Sequence, residues 1–61
     1  MTLTQTEKIE FSLKVSRIAT DLAQANTYTL NGKYREGHDN LGKVEDKVRE
    51  LRTYLNSHVL T

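Results

Sequence analysis

A chain of 61 residues carrying no cysteine and a net charge of +1 from nine basic and eight acidic side chains is one domain at most, and a domain this small buries only about 60% of the surface its unfolded chain exposes. Hydrophobic residues make up 36% against the ~45–50% of ordinary globular domains, and neither a disulfide nor a thiolate metal site is available, so association is the expected way to cover apolar surface. The charges are interspersed, which argues against the one-sided field of a nucleic-acid or membrane-surface binder, and apolar runs never exceed two residues, which predicts a soluble, cytoplasmic protein with no signal peptide or membrane span.

The chain opens with Thr4-x-x-Glu7, the spacing at which a threonine oxygen and a glutamate satisfy each other's orphan backbone donors at a helix start. Beyond it, Phe11, Val15, Ile18, Leu22 and Ala25, then Thr29, follow at alternating steps of four and three. That is an apolar seam along one side of a helix. Glu10 and Lys14 are placed for an i,i+4 ion pair on its outer surface.

A competing period runs through the same region. Ile9, Phe11, Leu13 and Val15 alternate with polar residues, which is the period of a strand. Asn31-Gly32 between threonine- and tyrosine-bearing flanks is a hairpin cue. Together they give an alternative small α+β fold, βαββα. The same glycine also suits the left-handed residue that closes a helix. The seam continues through Ala25 and resumes at Leu41, which favours two helices of about 4–30 and 34–58 joined near 30–33. The second start is either Lys33–Tyr34 or the better N-cap residues Asp39 and Asn40.

Leu41, Val44, Val48, Leu51 and Leu55 repeat the seam in the second half. Glycines 37 and 42 weaken its first turns, each by up to ~1 kcal/mol relative to alanine. Glu45 and Arg49 are spaced as an ion pair, and Lys47, Arg49, Arg52 and His58 place positive charge where a helix C-terminus favours it. The last residues, Val59 to Thr61, are expected to be loose. Two such helices joined by a short loop pack antiparallel. The strip between them covers little, so the predicted fold is all-α, a two-helix antiparallel hairpin that dimerises into a four-helix bundle.

Chemistry-bearing residues form no constellation. His38 and His58 are in no metal-ligand spacing. The carboxylates Glu36, Asp39, Glu45, Asp46 and Glu50 lie among lysines and arginines as a solvated surface, and the three glycines make no phosphate loop. No catalytic, cofactor or metal site is expected, and the chain reads as a non-enzyme. Ile9 and Leu13 point about half a turn away from the seam, a second apolar spot that packs either on another subunit, on the tail Val59–Leu60, or on a partner. Tyr28 and Tyr34 flank the loop and are expected to cap that end. Lys14 and Arg17 share an outer face and, doubled by a dimer, are the candidate nucleic-acid contacts.

In length, helix count and seam the chain resembles the Rop-type RNA-binding hairpins. That resemblance implies a four-helix bundle of two chains with basic and polar side chains on paired first helices. Leu30-Asn-Gly-Lys-Tyr34-Arg-Glu-Gly also resembles the turn and second-helix opening of one tetratricopeptide-type hairpin, although no second copy follows. The resulting expectation is a small interaction or regulatory protein, a homodimer presenting a helical face to a protein partner. Small proteins of this size are common among phage and plasmid accessory proteins. An RNA-binding hairpin dimer is the alternative.

Overall fold

The computed structural model describes residues 2–60, and they form two helices, α1 over Gln5–Leu30 and α2 over Tyr34–His58, with no strand among them. The βαββα alternative is therefore overturned. Residues 9–15 and 27–30 are helical because a strand there would leave its backbone donors without a neighbouring strand, whereas the helix satisfies them internally.

The start of α1 is the expected reciprocal cap. The backbone N–H of Glu7 donates to Thr4 Oγ1 at 3.2 Å, and the backbone N–H of Thr4 donates to Glu7 Oε1 at 2.8 Å. Its end is a Schellman closure, in which Lys33 N donates to Tyr28 O at 2.8 Å and Gly32 N to Thr29 O at 3.1 Å. Gly32 has φ of 76°, a conformation that costs any residue with a Cβ. The Asn-Gly pair thus ends a helix instead of turning a hairpin of strands. α2 begins at Tyr34, the earlier of the two expected starts, without a side-chain cap from Lys33. Gly37 and Gly42 consequently lie inside α2. Past the end of α2, Val59 and Leu60 both donate their N–H to Leu55 O. The expectation for Thr61 falls outside the described residues.

The two helices lie side by side as a single layer of 45 × 19 × 9 Å in Cα extent. A single layer has no interior, and the only buried hydrophobic side chains among the described residues are Ala25, 2% exposed, and Val44, 8% exposed. Around Gly37 the helices touch backbone to side chain. A Cβ built there would stand 2.7 Å from Thr29 Oγ1 and 3.3 Å from Ala25 O.

Candidate interaction surface

Each helix advances 100° per residue, so positions seven apart form nearly straight lines along its surface. On α1 the line Phe11, Ile18, Ala25 turns toward α2, and on α2 the line Gly37, Val44, Leu51 turns toward α1; all six are buried or half-buried. Three residues further on, a polar line flanks each of these. On α1 it is Lys14, Asp21, Tyr28, and on α2 Asn40, Lys47, Tyr54. The two polar lines meet: Lys47 Nζ is ion-paired to Asp21 Oδ2, Asn40 Nδ2 donates to Asp21 O at 3.2 Å and to Gln24 Oε1 at 3.4 Å, and Lys14 Nζ stands 5.0 Å over the Tyr54 ring.

Because both polar lines lie on one side of the pair, the lines four residues on from the contact line lie together on the other. These are Val15 and Leu22 on α1 and Leu41, Val48 and Leu55 on α2. Four of the five are exposed, from 43% for Leu41 to 50% for Leu22. Leu55 is half-buried. The apolar seam is thus divided along its length. One half, Phe11, Ile18, Ala25, Val44 and Leu51, packs within the hairpin; the other half, Val15, Leu22, Leu41, Val48 and Leu55, forms a flat apolar face without a covering layer.

The opposite side carries a half-open groove of about 520 Å³, with Lys14, Arg17, Lys47, Glu50, Tyr54 and His58 in its lining. Lys14 is drawn to Tyr54 and makes no ion pair with Glu10; Arg49 lies 3.9 Å from Asp46 Oδ1 and not on Glu45. Sequence spacing assigned both cations to same-helix carboxylates, but such pairs are worth only a few tenths of a kcal/mol, so a ring across the groove or a nearer carboxylate is enough to redirect them.

Aromatic rings close the end of the hairpin away from the turn. Tyr54 lies 6.2 Å from Phe11 and stacks on His58 at 4.0 Å between centroids. The His58 Nδ1–H donates to Tyr54 O at 2.8 Å, and Tyr54 Oη–H donates to Glu7 Oε2 at 3.4 Å. Hydrogen bonds from the Thr4 backbone and side chain hold the Glu7 carboxyl below its usual range. Desolvation, then the charge of Glu7, pushes the Tyr54 phenol above its usual value. This cluster was not singled out from sequence, since Tyr54 lies off the apolar seam and its polar line has no apolar period to reveal it.

Ile9 and Leu13, each 54% exposed, sit on the far side of α1, about 160–200° from its contact line at 100° per residue. They line a shallow depression with Gln5, Lys8, Ser12 and Ser16, all from α1. At the turn, Tyr28 is half-buried and accepts from Gln24 Nε2 at 3.4 Å, while Tyr34 is 70% exposed and does not cap the hairpin. His38 lies beside Asp39 on an exposed surface. Among the described residues no group of three His, Cys, Asp or Glu is placed to hold a metal ion, and no helix is long and apolar enough to cross a membrane. Comparison with protein families, curated proteins and solved structures finds no match to this chain.

Proposed function

We propose that the chain is a small non-enzymatic interaction and regulatory protein of the cytoplasm, in which two copies join through the flat apolar face into a four-helix bundle and display their outer helix surfaces to a protein partner. The observation that carries this reading is the uncovered line of Val15, Leu22, Leu41, Val48 and Leu55. Among the described residues only two hydrophobic side chains are buried, little apolar burial with which to offset the entropy of folding a single layer. The second copy is favoured by size. A 45 × 19 Å footprint is roughly 850 Å², close to the ~800 Å² per partner of a standard stable interface. The face also carries its apolar residues at sevenfold spacing on both helices, the spacing at which helix layers interlock.

Ile9 and Leu13 point away from that face, so the dimer leaves them outside as the patch for a protein partner. Sedimentation at micromolar concentration is expected to give twice the 7.0 kDa chain mass, with a thermal midpoint that rises with concentration. A well-folded monomer overturns the dimer. For the partner, proteins retained by wild type are compared with those retained by a dimeric Ile9→Lys/Leu13→Lys variant; identical retention removes the patch from the proposal.

The alternative reading, a hairpin dimer that binds RNA, is favoured by the groove in which Arg17 makes no ion pair with any described residue and Lys14 lies over an aromatic ring. Base stacking beside cations is the chemistry of single-strand binding. It requires retention of RNA at low salt that falls steeply as salt rises. No retention at low salt eliminates it.

A further inference from the structure

The groove opposite the flat apolar face is built by a single hairpin, so its chemistry does not depend on a second copy. It holds about 520 Å³, within the ~300–1,000 Å³ of small-ligand sites. Its floor is apolar, made by Ile18 of α1 and Leu51 of α2, both half-buried. Its rim carries Lys14, Arg17 and Lys47 against one carboxylate, Glu50. A chain whose net charge is only +1 therefore gathers three of its cations around one hollow. We propose that this groove binds a small organic phosphate, a phosphate monoester carried on a compact apolar or aromatic body.

The three cations differ in what they can offer. Lys47 is ion-paired to Asp21 and is largely neutralised there. Lys14 and Arg17 are exposed and make no ion pair among the described residues, although Glu50 lines the same groove. Three residues apart on α1, they are neighbours on the helix surface. Two uncompensated cations match the charge of a phosphate monoester, about −1.5 to −2 at neutral pH, more closely than that of a single carboxylate. The planar fork of Arg17 suits two phosphate oxygens at once. From α2 the rim adds the Thr53 hydroxyl and the His58 ring, which commits Nδ1 to Tyr54 O.

The apolar floor distinguishes this site from a place where a bare anion collects. Ile18 and Leu51 offer nothing to inorganic phosphate, but they remove from water the body of an ester. Glu50 sets a limit of its own, since its charge opposes any anion in the groove.

Three probes separate these parts in titrations of the wild-type chain followed by two-dimensional NMR at low salt: phenyl phosphate, inorganic phosphate and phenol. Phenyl phosphate is expected to bind with a dissociation constant on the order of 1 mM or tighter, as for a ligand of its size. Its shifts should centre on Arg17, Ile18, Leu51 and Tyr54, with the other two probes several-fold weaker. Arg17→Gln is expected to weaken phenyl phosphate and Glu50→Gln to tighten it, each by roughly three- to five-fold, the worth of one exposed charge pair. Both side chains are exposed, and the same spectra verify that each variant is folded.

Equal binding of inorganic phosphate overturns the proposal, as do shifts centred on Val15, Leu22 and Val48 or no saturation at about ten times that constant. Single-stranded RNA that binds while phenyl phosphate neither binds nor displaces it also overturns the proposal, in favour of the RNA reading. A monomeric mass overturns the dimer and leaves this site standing.

Discussion

At the scale of single residues, the two glycines inside α2 have opposite roles. Gly42 has no heavy atom within 4 Å of the place its Cβ would occupy, whereas a Cβ on Gly37 meets Thr29 Oγ1 at 2.7 Å and Ala25 O at 3.3 Å. The Thr29 hydroxyl is itself committed, donating to Ala25 O at 2.9 Å. Helix propensity favours alanine over glycine by up to ~1 kcal/mol, and at Gly42 nothing opposes it. Gly42→Ala is therefore expected to raise the thermal midpoint by several degrees, at roughly 4–8 °C per kcal/mol for a domain of this size. At Gly37 the same gain is set against an overpacking cost of typically 1–3 kcal/mol and displacement of Thr29. Gly37→Ala is expected to lower the midpoint, with thermal melts of the two variants moving in opposite directions. In sequence both glycines read alike, as weak points in the second helix. Their difference lies in residues 25 and 29 across the turn, which no local pattern connects to them.

Among the elements, α1 depends on its first turn more than α2 does. Thr4 and Glu7 close a full capping box, while α2 starts on Lys33 with no side-chain cap. Thr4→Ala is expected to cost about 1 kcal/mol of stability, the usual worth of an N-cap, read as a lower urea midpoint at unchanged slope. The box also gives a pH dependence. The folded-state pKa of Glu7 lies below its ordinary 4.5, so its contribution is fully present above pH 4.5 and is lost as pH falls through the lowered folded value. Thr4→Ala removes the second cause of that shift, the Thr4 side-chain hydrogen bond, and leaves the first, the backbone N–H of residue 4, so its stability curve is expected to fall somewhat less steeply than wild type below pH 4.5. A parallel acid limb in the variant would assign the effect elsewhere.

The capping box was legible because both of its partners lie within four residues. So was the turn, where Asn31-Gly32 supported two readings and the backbone chose the helix closure. The strand period at Ile9–Val15 misled because Ile9 and Leu13 lie on the exposed far side of α1, and apolar residues there interleaved with the seam produce alternation. The seam showed which residues are apolar on each helix, but not that the contact between helices runs along one edge of it. That edge is set by Asp21 with Lys47 and by Lys14 with Tyr54, polar side chains whose long-range pairing leaves no periodic trace.

For the whole molecule, the 9 Å thickness of the layer leaves little apolar burial inside the hairpin, and the proposed dimer would couple folding to association. If the apolar face supplies what a single layer lacks, disrupting it removes secondary structure as well as mass. Val48→Asp places a charge amid apolar residues far from the Ala25–Gly37 contact, where burial is costly. It is expected to shift the protein to monomer and, at the same concentration, to remove most of its far-UV helical signal in one transition. Retention of full helicity by a monomeric Val48→Asp variant would show that the hairpin stands alone.

The bond from Tyr54 to Glu7 has a consequence for connectivity. It joins the first turn of α1 to the last turns of α2, so the N- and C-terminal segments of the helical pair share one pole and the Gly32 turn occupies the other. A connector from the end of α2 back to Thr4 has only the width of two adjacent helices to bridge. The order of the helices along the chain can then be exchanged by joining that pole and opening the chain at Gly32, with the flat face, the polar groove and the outer patch of α1 all left in place.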